Sequence, residues 1–143
     1  MKKEIVTEIV IEATPAQVWA VLTDFEAYPQ WNPFVKSLTG DVAVGSRIKV
    51  LLPGMTFTPK VLVFDAPREF KWLGNLFIPG LFDGEHRFQL LDNGNGSTTF
   101  IHSERFNGLL VGLFNRMLEQ DTRPGFEALN RALKQRVEGR VRS

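Results

Sequence analysis

Two histidines and one glutamate are the residues of this sequence whose types and spacing could support acid–base chemistry. His86 lies in a segment that alternates phenylalanine with polar residues, and His102 and Glu104 lie in the next such segment. Because side chains two positions apart share one face of a strand, all three are predicted on the phenylalanine faces of two strands. Imidazole and carboxyl groups exchange protons near neutral pH, so these three are candidate catalytic residues.

The predicted pairing of these two strands brings the three polar groups together. A turn centred on Gly94 would place His86 across from His102 and Gly84 across from Glu104. We expect the carboxylate of Glu104 to accept a hydrogen bond from one imidazole. Three roles stay open: a buried network that holds the sheet, orientation of a ligand, and proton transfer. A metal site is disfavoured because two adjacent strands rarely supply enough ligands.

The composition excludes several classes of functional site. The chain has 143 residues, a net charge of +1, two histidines and no cysteine. The lack of cysteine excludes disulfides and thiolate chemistry, and two histidines cannot form a three-histidine metal site. The near-neutral charge offers no basic face for nucleic acid, and no phosphate loop or nucleophile elbow is present. We therefore expect no nucleic acid, metal or cofactor as a partner.

The N-terminal segment begins like a signal peptide but does not continue as one. Glu4, Glu8 and Glu12 interrupt any apolar core of such a peptide. No apolar run approaches the roughly 20 residues that a membrane-spanning helix needs. The sequence therefore predicts a cytoplasmic protein without stable membrane insertion.

The elements that must position the polar residues are those of an α+β domain. A first strand over residues 4–12 precedes a helix in which Thr14 and Gln17 fit a capping box, and a second short helix follows. Pro59 cannot donate a ladder bond, so its strand is predicted at a sheet edge or with a bulge. Six further strands are predicted over residues 35–40, 46–52, 57–65, 69–75, 82–92 and 97–106.

A long C-terminal helix is predicted over residues 109–138. Its apolar residues, from Leu110 to Leu133, recur three or four apart and form one stripe. Pro124 is predicted to kink this helix, and the kink is expected to turn Asp121 to the surface. No repeat or linker divides the sequence, so residues 1–143 are predicted to form one domain.

The order of elements and several local motifs resemble the START-like helix-grip superfamily (SRPBCC), and within it the polyketide cyclase/dehydrase and lipid-transport group. The resemblance implies a curved antiparallel sheet of about seven strands around the C-terminal helix, with a cavity for a hydrophobic ligand between them. Fold alone does not choose between binding and the cyclase, dehydrase or hydrolase activity of some members. The motifs are 13–19 (ATPAQVW), 22–25 (LTDF), 28–34 (YPQWNPF), 70–72 (FKW), 86–88 (HRF), 102–108 (HSERFNG) and 123–130 (RPGFEALN).

Residues that face the space between sheet and helix are predicted to bind this ligand. Apolar side chains line most ligand sites, with a few polar groups for orientation. The apolar loop 76–82 is interpreted as a rim or lid, as a surface that contacts a membrane or another protein, or as packing against the start of the last helix. The predicted ligand-binding residues are Trp31, Phe34, Phe70, Trp72, Phe77, Phe82, His86, Phe88, Phe100, His102, Glu104, Phe114 and Leu118.

The leading interpretation is a protein that binds a small hydrophobic or lipid-like molecule. One alternative is a cyclase or dehydrase that uses His86, His102 and Glu104 as acid–base groups. The other is a protein-interaction module that uses the loop 76–82. The sequence leaves a homodimer open.

Overall fold

Alternating strand segments and one helical stripe produce an α+β fold in the computed structural model, which describes residues 2–76 and 78–142. The predicted class and the two short helices after the first strand are confirmed. The elements are β1 (Lys2–Ile11), α1 (Pro15–Leu22), a 3₁₀ turn (Phe25–Ala27), α2 (Tyr28–Trp31), β2 (Ser37–Thr39), β3 (Lys49–Leu52), β4 (Met55–Phe57), β5 (Lys60–Asp65), β6 (Glu69–Leu76), β7 (Phe82–Asp92), β8 (Thr98–Asn107), α3 (Asn115–Met117), a π-helical turn (Leu118–Thr122) and α4 (Arg123–Arg142).

The described strands form two antiparallel sheets. One has the order β1-β8-β7-β6-β5, and the other has the order β2-β3-β4. The predicted strand over residues 57–65 is divided, because Pro59 lies between β4 and β5 and cannot donate a ladder bond. As predicted, the strand after Pro59 lies at a sheet edge, and it carries a bulge between Val61 and Val63.

The pairing of β7 with β8 differs by two residues from the predicted register. His86 lies opposite Glu104, and Gly84 lies opposite Phe106. The predicted pairs of His86 with His102 and of Gly84 with Glu104 are therefore wrong. Because the difference is two residues, every side chain keeps its predicted face of the sheet.

The loop between β7 and β8 explains the difference in register. It spans residues 93–97 and centres on Asn95, one residue beyond the predicted centre. Gly94 and Gly96 both adopt positive φ, 80° and 85°, which other residues rarely adopt. The N–H of Asn93 donates to the carbonyl oxygen of Ser97 over 3.1 Å and closes the loop.

The last helix packs on the inner face of the larger sheet, as predicted. Phe126, Leu129 and Leu133 of α4 are fully buried. They divide between two apolar clusters, a large one under the sheet centre and a small one at the start of β7. The predicted inner-face residues are all buried, namely Phe70, Trp72, Phe82, Phe88 and Phe100.

The C-terminal helical region is irregular one turn earlier than predicted. The N–H of Arg123 donates to the carbonyl oxygen of Leu118, which makes the turn before α4 a π-helical one. Pro124 follows directly and cannot donate to the carbonyl of Gln120. Asp121 lies in this turn and is exposed, as expected. The predicted helical residues 109–114 form turns instead.

Candidate functional site

Five side chains form a continuous series of hydrogen bonds between the sheet and α4. Oε1 of Glu104 lies 2.9 Å from Nδ1 of His86, and Nε2 of His86 lies 2.8 Å from Nε2 of His102. Nδ1 of His102 lies 3.0 Å from Oδ1 of Asn130, whose Nδ2 donates to Oγ1 of Thr7 over 2.8 Å. Thr7 Oγ1 donates to the carbonyl oxygen of His102 over 2.7 Å. We call these five residues the polar network.

Aromatic rings enclose both imidazoles of the polar network. His86 stacks on Trp72 with centroids 4.6 Å apart, and His102 stacks on Phe126 with centroids 4.0 Å apart. Because burial disfavours the imidazolium form, it lowers the pKa of His86 to about 3. Burial, and to a smaller extent the neighbouring His86, hold the pKa of His102 well below its usual value. Both rings are therefore neutral at pH 7.

The carboxyl group of Glu104 lies mostly buried beside these neutral rings, and its side chain is 16% exposed. Loss of solvation raises the pKa of Glu104 to about 8, because the charged form is the one that burial penalises. Its contact with His86 is therefore a hydrogen bond between neutral groups. Gly84 provides the space for the carboxyl group, since a Cβ at that position would lie 2.1 Å from Glu104 Oε2.

A cavity of about 120 Å³ adjoins Glu104 at one end of the larger sheet. Its walls come from the β3–β4 hairpin, from β6, β7 and β8, and from the helical residues ahead of α4. Glu104 is the ionisable member of an otherwise largely apolar set. The lining residues are Phe34, Leu52, Met55, Phe57, Gly74, Phe82, Gly84, Glu104, Phe106, Met117, Leu118 and Thr122.

Two glycines let aromatic rings form the walls of this cavity. A Cβ at Gly74 would lie 2.9 Å from the ring of Phe57, and a Cβ at Gly125 would lie 2.7 Å from the ring of Phe34. Real Cβ atoms do not approach other atoms so closely, so a larger residue at either position would displace a ring. The shape of the cavity therefore depends on these two glycines.

The structure separates the predicted ligand-binding residues into groups. Trp31 packs edge-on against Tyr28, Phe114 packs edge-on against Phe82, and Phe77 lies outside the described residues. Those that line the cavity are Phe34, Phe82, Glu104 and Leu118. Those in the packed core are Phe70, Trp72, Phe88 and Phe100. His86 and His102 belong to the polar network and follow Glu104 in its series of hydrogen bonds.

Sequence reasoning brought the three candidate catalytic residues together but missed much of the cavity wall. His86, His102 and Glu104 are in contact, although Glu104 alone of the three lines the cavity. The positions of Gly84 and Phe106 in the wall were predictable, because the alternation of β7 and β8 places both residues on the inward face of the sheet. The remaining wall residues lie on segments whose packing partners the pattern does not reveal, namely Leu52, Met55, Phe57, Gly74, Met117 and Thr122.

The loop 76–82 meets the turns ahead of the last helix. The carbonyl oxygens of Gly80 and Leu81 accept from the N–H groups of Leu109 and Leu110 over 3.2 and 2.9 Å. Leu109 is nevertheless 78% exposed. The loop therefore contacts the start of the helical region through its backbone, while apolar side chains there stay exposed. The roles of rim and of interface both stay predictions.

Three observations bear on the kinds of partner. Within residues 2–76 and 78–142, no helix is long and apolar enough to cross a membrane. In the same ranges, no group of three histidine or carboxylate side chains is arranged to hold a metal ion. Both ring nitrogens of His86 and of His102 are engaged in the polar network.

A comparison with protein families finds one that covers nearly the whole chain. The family model described as polyketide cyclase / dehydrase and lipid transport matches residues 2–138. No curated protein sequence matches the chain.

Solved structures share the fold at low sequence identity. The Zhui aromatase/cyclase from Streptomyces sp. R1128 is 19% identical with a TM-score of 0.78, over 100% of this chain and 98% of that one. Norcoclaurine synthase from Thalictrum flavum, in complex with dopamine and hydroxybenzaldehyde, is 16% identical with a TM-score of 0.74, over 97% and 88%. A START superfamily protein from Mycobacterium smegmatis is 24% identical with a TM-score of 0.72, over 95% and 97%.

Proposed function

This chain belongs to the polyketide cyclase/dehydrase and lipid transport family, and we propose that it binds a small hydrophobic molecule in the cavity beside Glu104. The observation that carries the proposal is a single buried carboxyl group in an otherwise largely apolar cavity wall. Ligand sites of this composition hold the molecule by apolar contacts and orient it through a few polar groups.

The volume of the cavity limits the size of the ligand. About 120 Å³ is close to the roughly 150 Å³ of an engineered cavity that binds benzene, and it is below the roughly 300 Å³ of sites for drug-sized molecules. The ligand is therefore a single ring or short chain, or one end of a longer molecule. Dopamine and hydroxybenzaldehyde, bound by the norcoclaurine synthase, each contain one ring, which supports a ligand of this size.

Proton transfer is a second function that one observation favours. A pKa of about 8 lets Glu104 exist in either protonation state near neutral pH. A proton taken from a ligand, however, has no basic partner beyond Glu104, because burial lowers the pKa of His86 to about 3. The neutral histidines therefore support binding more strongly than turnover.

Filling the cavity tests the proposed function. Thr122 lines the cavity, whereas Asp121 beside it is exposed and does not. Thr122→Trp should weaken the binding of toluene and p-cresol at least about tenfold, because the indole occupies the ligand's space. Asp121→Trp adds the same group outside the cavity and should bind like the wild type. Ligand-detected NMR titration measures both.

Two outcomes contradict the proposal. One is a lack of saturable binding of either probe by the wild-type protein. The other is equal binding by Thr122→Trp and Asp121→Trp, which would place the ligand elsewhere. Native mass spectrometry of the purified protein gives a second readout, because a retained small molecule should be present in the wild type and absent from Thr122→Trp.

A further inference from the structure

We propose that the cavity selects ligands whose polar group is a hydrogen-bond donor, such as the O–H of an alcohol or phenol. The polar network engages Oε1 of Glu104 with His86 and leaves Oε2 as an oxygen that can only accept. This inference rests on the proposed function, since it concerns the polar group of the ligand in the same cavity.

The direction of the hydrogen bonds is set at the Thr7 end of the network. The carbonyl oxygen of His102 can only accept, so the hydroxyl of Thr7 donates to it. The oxygen of Thr7 then accepts from the side chain of Asn130, which identifies the atom facing it as Nδ2. Oδ1 of Asn130 consequently faces His102, and Nδ1 of His102 must carry a proton to donate to it.

The same reasoning applies next to the two imidazoles and then to Glu104. A neutral His102 with its proton on Nδ1 has a bare Nε2, which accepts from Nε2–H of His86. His86 therefore carries a proton on Nε2, and its Nδ1 lies 2.9 Å from Oε1 of Glu104. A hydrogen bond across that distance requires one proton, either on Nδ1 of a charged His86 or on Oε1 of a neutral acid, and burial of both groups favours the neutral pair. Glu104 is thus a protonated acid that donates to His86, opposite to the direction expected from the sequence.

The effects of burial on the titratable groups agree with this assignment. Burial raises the pKa of Glu104 to about 8 and lowers the pKa of His86 to about 3, so the proton between them belongs to the carboxyl group. His102 from β8 is the other titratable group of the network, and burial keeps it neutral as well. The group that α4 contributes, Asn130, carries no charge.

The second carboxyl oxygen of Glu104 remains for the ligand. Oε2 lies over Gly84, in the cavity wall. It has no hydrogen-bond partner in the part of the chain that the structure describes, and the Glu104 side chain retains 16% exposure. Because the acid proton is committed to His86, Oε2 offers only lone pairs. A ligand hydroxyl can donate to it, whereas a ligand ketone or carboxylate would face it without a donor.

Pairs of ligands that differ only in this property test the inference. Cyclohexanol and cyclohexanone have the same ring, but only the alcohol donates. The wild-type protein should bind the alcohol about tenfold or more tightly than the ketone, since an unpaired buried acceptor loses its solvation without compensation. Titration followed by ligand-detected NMR measures both affinities. Equal affinities, or a preference for the ketone, would overturn the inference.

Two variants of Glu104 show whether the carboxyl group causes the preference. Glu104→Met removes both polar atoms and should abolish the preference while the ring still binds. Glu104→Gln should restore it relative to Glu104→Met, because an amide N–H can donate to His86 while the amide oxygen accepts from the ligand. A preference for the ketone in Glu104→Gln would overturn the assignment, because it would mean that Nδ1 of His86 donates to the amide oxygen and that the amide N–H faces the ligand.

The wild-type protein provides an independent measurement. Nitrogen-15 NMR of the imidazoles should find His86 protonated on Nε2 and His102 protonated on Nδ1, and the reverse tautomers would overturn the inference. The results also separate the two proposals. If both cyclohexyl compounds bind equally and Thr122→Trp blocks both, the proposed function stands and this inference fails. If no probe binds, both fail.

Discussion

At the scale of single residues, three neutral ionisable groups in contact make stability depend on pH in two opposite directions. The folded protein keeps His86 and His102 neutral, because burial lowers both pKa values, while the unfolded chain protonates them below about pH 6.5. Stability is therefore lost as the pH falls below that value. The pKa of Glu104 is raised from 4.5 to about 8 on folding, so its contribution is lost as the pH rises toward 8.

We predict that the free energy of unfolding contributed by this cluster is greatest near pH 6.5. Between pH 4.5 and 6.5 the histidines of the unfolded chain bind protons that the buried rings exclude, and these outweigh the one glutamate proton that the unfolded chain lacks, so stability should rise with pH. As the pH rises from there toward 8 the glutamate proton becomes the main difference, so stability should fall by up to about 1.4 kcal/mol per pH unit. Urea denaturation from pH 5 to 8.5 measures the profile.

The control for this profile is Glu104→Gln. It removes the titrating carboxyl group and should eliminate the loss above pH 6.5, while the loss on the acid side remains. The surface carboxylate Glu119, whose pKa hydrogen bonds from Arg123 and Lys3 lower to about 2, stays ionised in the folded protein and does not cause the loss above pH 6.5. A wild-type profile that is flat from pH 5 to 8 would contradict the neutral state of the cluster.

Gly84 allows a test that leaves the chemistry of Glu104 unchanged. In Gly84→Ala the new Cβ would lie 2.1 Å from Oε2, so the carboxyl group must move. We expect a loss of about 1–3 kcal/mol in the free energy of unfolding, as for other overpacked sites, together with loss of the preference for alcohols. Urea denaturation and ligand titration measure the two effects.

The matched control is Gly139→Ala, because nothing lies within 4 Å of a Cβ at that position in α4. This exposed helical site should gain up to about 1 kcal/mol from alanine. Equal stability and equal ligand preference in both variants would mean that Gly84 does not position the acid.

At the scale of the elements, the sheet centre and the cavity end should respond differently to loss of an aromatic ring. Phe88 on β7 is buried among other rings of the large cluster, so Phe88→Ala should cost about 3–5 kcal/mol. Phe57 on β4 borders space that is already empty, so Phe57→Ala should cost less and should admit larger ligands. Urea denaturation compares them. A smaller loss for Phe88→Ala than for Phe57→Ala would contradict the distinction.

Local patterns in the sequence were sufficient for much of the element structure. Thr14 and Gln17 form the predicted capping box at α1, and the alternation of β7 and β8 identified their buried faces. The register of that pair was not predictable, because Asn93-Gly94 is compatible with more than one loop length. The register is fixed by the closed loop, in which two glycines adopt positive φ.

The cavity and the polar network depend on contacts that no local pattern reveals. Aromatic residues at the sheet centre were expected to surround a ligand, but they pack against one another and fill that space. A void remains where Phe34 and the β3–β4 hairpin meet the end of the sheet. Thr7 and Asn130, which set the direction of the network, are 123 residues apart and carry no signal of pairing in the sequence.

At the scale of the whole molecule, the predicted helix-grip fold is confirmed by the family match and by structures of similar fold. The larger apolar cluster holds α4 under the sheet centre, and the smaller cluster adjoins the cavity. The polar network joins side chains of β1, β7, β8 and α4 by hydrogen bonds. Most of the larger cluster thus lies away from the cavity, and the wall residues Phe34, Leu52 and Phe57 pack against its edge.

The π-helical turn at Leu118–Thr122 has a consequence for how this cavity can change during evolution. A π turn holds one residue more than the α-helical turn it replaces, and each helical residue rotates the chain by roughly 100°. Loss of one exposed residue, such as Gln120, would rotate Leu118 and Met117 out of the wall and leave α4 in place. Descendants of this sequence can therefore reshape the cavity by insertion or deletion at one turn, which changes the contact of Leu118 in the smaller cluster but not the larger cluster under α4.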